Sequence, residues 1–236
     1  YTNDHDSRSD VGALVCTVFN GSTWTNNWIY QRWSGWSSVD GYDYVESNGD
    51  SGNHVRFGRC LSISENEEYF AIGGLNGVTN QDGVVFLAQA NRDDLSNGKV
   101  RKILPKAILF PSASGNDFSG GDQGDQYAQW GFYNNSLSLT KDGSMLAVGG
   151  YNVGIDVFTI AWGDNTNDTV CTSIYRLSDT NRHYVLSFDS TGSTLACSSQ
   201  SHRRLQIFPT KTNIISQGNV NNSNSNSYFD VSLNNL

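Results

Sequence analysis

The sequence predicts an all-β fold of β-propeller blades, with about three and a half to four four-stranded antiparallel sheets visible, on three observations. A fourteen-residue stretch occurs three times without a gap: LSISENEEYFAIGG at 61–74, LSLTKDGSMLAVGG at 137–150 and LSFDSTGSTLACSS at 186–199. Each copy runs Leu-Ser-apolar, then a polar turn, then apolar-Ala-apolar and two small residues, and such self-similarity marks a repeat architecture. Composition is the second observation. Only 16% of the 236 residues are charged and 12% are aromatic, with Asn, Ser, Thr and Gly carrying the polarity. That mixture suits strands and turns and leaves almost no helix. Third, each copy is followed by another apolar segment with an apolar-Phe pair: Val85-Phe86, Val157-Phe158 and Ile207-Phe208.

Taken in order, residues 10–19 read as the third strand of a blade, Asn20-Gly21-Ser22 as a turn and residues 23–31 as a fourth strand. The chain therefore opens on the later half of a unit. In the next unit the repeat predicts two strands around the turn at 64–68, where Asn66 is the residue expected to take the left-handed region. A third strand is expected at 83–90 and a fourth at 99–108. The following unit turns at Lys141-Asp142-Gly143-Ser144, a hairpin signal because Gly supplies positive φ without steric cost. Its later strands are expected at 154–160 and 169–177. The last unit turns at Ser190-Thr191-Gly192-Ser193, has a third strand at 204–208 and fades into an Asn/Ser-rich end, 219–226, read as a linker or docking strand. The small Ala71, Ala147 and Ala196 belong where neighbouring sheets approach most closely. One propeller domain is expected overall, divided as 1–54 (partial first blade and long aromatic loop), 55–130 (second blade and acidic loop), 131–182 (third) and 183–236 (fourth and tail).

Phe57-Gly58, Ala71-Ile72-Gly73-Gly74 and Gly83-Val84-Val85-Phe86 resemble the FG-GAP repeat of integrin α-chain propellers and many extracellular proteins. The third unit is similar through Gly131-Phe132 and Ala147-Val148-Gly149-Gly150, while the fourth has Ser198-Ser199 in place of the glycines. The resemblance implies a propeller of the cell-surface, adhesive kind. That family often carries a calcium loop of the Asp-x-Asp-x-Asp-Gly kind in its turns. Here those turns read Glu65-Asn66-Glu67-Glu68 and Lys141-Asp142-Gly143-Ser144, so the metal function is not carried over.

Charge and cysteines narrow the function. The net charge is -8, and Lys and Arg are scattered rather than striped, which argues against a nucleic-acid partner. No window approaches eighteen consecutive apolar residues, so no membrane span is expected. Cys16, Cys60, Cys171 and Cys197 form no Cys-x-x-Cys zinc pattern and are disulfide candidates, with Cys197 equally readable as a small core residue because it aligns with Ile72 and Val148. Sequons stand at Asn20, Asn134, Asn167 and Asn221. A chain this rich in Asn, Ser and Thr yields about five by chance, so their placement carries more weight: Asn20 and Asn167 fall in strand-to-strand turns. An extracellular or cell-surface location is expected.

No catalytic constellation is visible. His5, His54, His183 and His202 lie far apart, none in a nucleophile-elbow or metal-ligand pattern, and the chain is expected not to be an enzyme. The acidic runs Asp4-Asp6-Asp10, Asp40-Asp43 and Asp117-Asp122-Asp125 supply hard oxygens that Ca2+ would accept, though none has EF-hand spacing, and a solvated acidic loop reads as well. Asp117, Asp122 and Asp125 are the metal candidates.

Recognition is expected in the two long loops, 32–54 and 109–129. Trp33, Trp36, Tyr42 and Tyr44 are the candidate partner-binding residues, because exposed Trp and Tyr offer flat faces to protein or sugar. Trp33-Ser34-Gly35-Trp36 also resembles the Trp-x-x-Trp pattern of C-mannosylated secreted repeats. Trp24 and Trp28 are expected in the core of a blade edge. Two readings stand: a structural or interaction module in a surface or filamentous glycoprotein assembly, its partners other subunits or copies of itself, or a carbohydrate-binding lectin.

Overall fold

A computed structural model describes residues 12–31, 36–39, 56–75, 83–92, 95–96, 99–100, 102–110, 130–131, 135–150, 154–177, 183–199, 204–210 and 229–232. Among them the only helical turn is a 3-10 helix at Trp36–Ser38. The rest is strand and turn. A two-stranded hairpin comes first, β1 (Ala13–Phe19) with β2 (Trp24–Gln31). The second sheet is β3 (Cys60–Ile63), β4 (Tyr69–Leu75) and β5 (Gly83–Ala90). After a small two-stranded finger, β6 (Leu95–Ser96) with β7 (Lys99–Val100), the outer strand β8 (Ile103–Leu109) completes it in the order β3-β4-β5-β8. The third sheet is β9 (Leu137–Leu139), β10 (Met145–Gly149), β11 (Ile155–Ala161) and β12 (Val170–Leu177). The fourth is β13 (His183–Phe188), β14 (Thr194–Ser199), β15 (Arg204–Pro209) and β16 (Phe229–Ser232). Every pairing within these sheets is antiparallel and sequential.

The expected strands at 83–90 and 204–208 are found, but the fourth strand expected at 99–108 is two elements. Lys99 and Val100 turn back to pair with Ser96 and Leu95, and only from Ile103 does the chain join β5. The end of the tail also differs from a plain linker, since β16 supplies the outer strand of the fourth sheet through Phe229↔Ile207 and Val231↔Leu205. Residues 219–226 lie outside the described residues.

Why the middle strands lack polar alternation is clear from the packing. Each four-stranded sheet is covered on one face by the sheet before it and, in the second and third, on the other by the sheet after. Phe70, Ile72, Val84 and Phe86 turn back toward Leu14, Trp36 and Phe57. Cys60, Ala71, Val85 and Leu87 on the front of the same sheet meet Leu137, Leu139, Leu146, Val148 and Phe158. Met145, Ala147, Ile155 and Val157 on the front of the third sheet meet Leu186, Leu195, Cys197 and Phe208. Ala71 and Ala147 are fully buried at these interfaces, as their small size requires. A strand buried on both faces reads as a continuous apolar run, and MLAVG of β10 is buried throughout.

The repeated serine stitches one sheet to the next. The Leu139 N–H donates to Ser62 Oγ at 2.9 Å, and the Phe188 N–H to Ser138 Oγ at 3.0 Å. A second tie lies further out, where the turn between β11 and β12 folds over β8. Buried Lys106 donates from Nζ to the carbonyls of Gly163 (2.9 Å) and Asp164 (2.6 Å), and its own carbonyl accepts the Asn167 N–H at 3.1 Å. Burial pulls the Lys106 pKa down, with Asp164 and Asp168 opposing that pull.

Candidate interaction surface

The three inner turns are one design with different side chains. Backbone bonds Ser64 N to Tyr69 O, Thr140 N to Met145 O and Asp189 N to Thr194 O close them at 2.9 to 3.0 Å. The left-handed position is Glu67 (φ 57°), Gly143 (73°) and Gly192 (65°), so Glu67 rather than Asn66 takes the conformation the repeat demands. Polar side chains then satisfy the turn amides. Asp142 Oδ1 accepts from the Thr140 hydroxyl (2.7 Å), the Ser144 N–H (3.0 Å) and the Ser144 hydroxyl (2.7 Å). Asp189 accepts from the Ser193 N–H and hydroxyl, both at 2.8 Å, and from Thr191. These donors hold both carboxyls well below the usual range, at about 2, led for Asp142 by the Thr140 hydroxyl and for Asp189 by the Ser193 hydroxyl. Their acidic oxygens are engaged in holding turns. Among the described residues no three His, Cys, Asp or Glu side chains converge as a metal site, and Asp117, Asp122 and Asp125 lie outside those residues.

The tryptophans exchange the places expected of them. Trp36 is fully buried, its ring edge-on to Phe57 (centroids 6.2 Å apart) and Phe86 (5.0 Å), so it is core and not an exposed contact residue. A loop residue next to an exposed-looking Ser-Gly pair was a weak guide, because the 3-10 turn drives the ring under the second sheet. Trp24 is 70% exposed, not core, and packs on Phe19 (50% exposed) with centroids 5.2 Å apart. Strand register explains this: Phe19 and Trp24 are cross-strand partners, and with Val15 and Thr17 they share the face of β1–β2 opposite buried Leu14. No described sheet covers that face. Residue type gives no signal of this, since ALVCTVF is apolar on both faces. Trp33, Tyr42, Tyr44 and the Trp28 side chain lie outside the described residues.

Asn20 and Asn167 occupy the turns expected of them, β1 to β2 and β11 to β12. Asn20 Oδ1 caps its turn by accepting the N–H groups of Ser22 (3.0 Å) and Thr23 (2.9 Å). Asn167 sits at φ 71°, and its Nδ2 donates to Ser38 O at 2.9 Å. Asn134 and Asn221 lie outside the described residues. No disulfide joins any two of the four cysteines. They stand on strands of four different sheets, Cys16 on β1, Cys60 on β3, Cys171 on β12 and Cys197 on β14. Cys60 and Cys197 instead fill inter-sheet cores, and burial raises the Cys171 thiol to about 11.

Successive four-stranded antiparallel sheets, stacked face to face with their first strands adjacent, decide the architecture. The sheets are blades of a β-propeller. No family profile and no curated protein matches the sequence. Solved structures do. The chain is similar to the β-propeller domain of Cps50 (Swd1) from Myceliophteria thermophila, with a TM-score of 0.48 and 14% identity over 83% of this chain and 50% of that one. It is similar to a protein from Lactobacillus plantarum (TM-score 0.49, 14% identity, 84% and 45% covered) and to Hsv2p of Kluyveromyces lactis (0.42, 16%, 79% and 51%). The chain spans about half the length of these structures, and the likeness concerns the fold alone.

Proposed function

We propose that the chain is an extracellular structural or interaction module, a non-catalytic propeller segment within a surface or filamentous glycoprotein assembly or an adhesin. The observation that carries this is the face of β1–β2. Val15, Phe19 and Trp24 stand 38%, 50% and 70% exposed on one surface, with an aromatic pair ready to anchor a partner. Among the described residues, the inner turns at 64–68, 140–144 and 189–193 use their polar side chains internally. The finer assignment to FG-GAP repeats is supported by Phe57-Gly58, Gly73-Gly74 and Gly83. The equivalent pair in the third blade is Trp130-Gly131 and not Gly131-Phe132: Gly58 and Gly131 both have positive φ and donate their N–H to the carbonyls of Gly73 and Gly149. Sequons in two exposed turns favour passage through a secretory pathway.

Two measurements test the reading. Glycosidase treatment of the natural protein should remove mass mapped to Asn20 or Asn167. A photo-crosslinking residue at Trp24 should capture one protein species from the cell surface or medium of the source organism, with little capture from exposed Glu67. Equal capture from both positions, or none from Trp24, refutes it.

A further inference from the structure

Two of the sequons lie in described turns, and in sequence they are alike. Asn20-Gly21-Ser22 and Asn167-Asp168-Thr169 each place a hydroxyl two residues after the asparagine, with no proline between. The folded turns use the two asparagines in opposite ways.

At Asn20 every side-chain bond enters at the oxygen. Its Oδ1 accepts the N–H groups of Ser22 and Thr23 at 3.0 and 2.9 Å, and their hydroxyls at 3.1 and 3.4 Å. None of these bonds uses Nδ2, the atom that takes a sugar. Residues 19–26 are all exposed, the Ser22 hydroxyl of the sequon among them. A Cβ on Gly21 would meet nothing within 4 Å, so the tip of this turn stands clear of the sheets.

At Asn167 the nitrogen is the engaged atom. Its Nδ2 donates to Ser38 O at 2.9 Å, which ties the β11–β12 turn to a 3-10 turn 129 residues away in sequence. That 3-10 turn seats the buried Trp36 ring, and its Val39 N–H closes on Trp36 O at 2.9 Å. The hydroxyl of this sequon is engaged as well: Thr169 is buried, and its Oγ1 accepts the Gly163 N–H at 3.2 Å. The backbone is held from the other side, with the Asn167 N–H on the Lys106 carbonyl at 3.1 Å and the Thr166 hydroxyl on the Pro105 carbonyl at 3.4 Å.

We propose that Asn20 is a glycan acceptor of the folded chain and that Asn167 is a structural tie whose amide nitrogen holds the 3-10 turn and not a sugar. The proposal rests on the reading that the chain passes through a secretory pathway, and it selects the sequon used there. In the transfer, Nδ2 bonds to the anomeric carbon of an oligosaccharide, the bond from that carbon to a lipid diphosphate carrier breaks, and Nδ2 gives up one proton. A sugar on Asn20 Nδ2 displaces none of the bonds at Oδ1. A sugar on Asn167 Nδ2 replaces a hydrogen of the tie and stands between the two turns, so chains carrying it lose the contact with Ser38.

The full chain, expressed in cultured animal cells behind a cleavable secretion signal, tests this by mass spectrometry of intact glycopeptides. Occupancy at Asn20 should exceed that at Asn167 at least tenfold in the secreted, folded protein. Ser22→Ala should remove the Asn20 glycan with no change in circular dichroism, and Asn167→Gln should leave it in place. The tie has its own readout. Asn167→Gly removes the side chain and keeps a residue that tolerates the φ of 71°, and it should speed hydrogen exchange at the Val39 amide severalfold. Equal or greater occupancy at Asn167, an unoccupied Asn20, or unchanged Val39 exchange in Asn167→Gly overturns the proposal. Protein from its natural source that carries no glycan at either position, beside an Asn20 glycan under directed secretion, counts against the extracellular reading alone, so the two fail separately.

Discussion

Gly143 carries two separable demands, and a double-mutant cycle with Tyr69 measures each. Its φ of 73° lies in the left-handed region, where an L-residue costs roughly 1–2 kcal/mol. A Cβ there would also land on Tyr69 Cδ2 and within 2.9 Å of Cγ, in a ring that stacks on Trp162 at 4.3 Å between centroids. Trp162 cannot move away easily, because its indole N–H donates to the Gly143 carbonyl at 2.8 Å. Overpacking of this kind costs about 1–3 kcal/mol. Gly143→Ala should therefore destabilise the chain by about 2–5 kcal/mol. In a Tyr69→Ala background the ring is gone and only the backbone cost of roughly 1–2 kcal/mol should remain. Urea unfolding followed by far-UV circular dichroism, with equal m-values across the four proteins, gives the cycle. Equal costs of Gly143→Ala in the two backgrounds, within about 0.5 kcal/mol, would refute the packing account.

Three further outcomes are expected. The pKa of Asp142 is depressed to about 2 against 3.8, so its contribution to stability is full above pH 3.8 and is lost as pH falls through about 2; Asp142→Asn should flatten that stretch of the stability–pH curve, and a carboxyl resonance titrating near 4 in the native protein would contradict it. Lys106→Met should destabilise by about 1–3 kcal/mol and speed hydrogen exchange at the Asn167 amide. Because the folded-state pKa of Lys106 lies below 10.5, the unfolded chain holds that proton longer, so Lys106 adds a rise in stability with pH in that alkaline window which the variant should lack. Trp36→Ala should cost about 3–5 kcal/mol in thermal or urea unfolding, whereas Trp24→Ala should change stability by less than about 0.5 kcal/mol and act on partner capture instead.

The blades were legible because their inner hairpins obey local rules: an apolar pair, a turn with one left-handed residue, and a small residue at the sheet-to-sheet contact. Those rules placed β5 and set Ala71 and Ala147 at the interfaces. They did not place Glu67, because nothing in the residue type announces that a Glu will adopt the conformation of Gly143. The β6–β7 finger escaped for a similar reason, since a two-residue pairing has no periodicity to read. The candidate surface was less legible still. Burial of Trp36 under the second sheet and exposure of Trp24 on β2 follow from tertiary packing and strand register, not from the residues flanking either ring. The cysteines showed the same limit, as their separation onto different sheets follows from tertiary packing.

The serine stitches have a mechanical implication. Bonds of 2.9 and 3.0 Å at equivalent positions tie the second blade to the third and the third to the fourth in the same way. A stack joined only through nearest neighbours comes apart from its termini inward. The twice-stitched third blade should therefore persist under heat or force as the last cooperative block, outlasting the second and fourth, which carry one such stitch each.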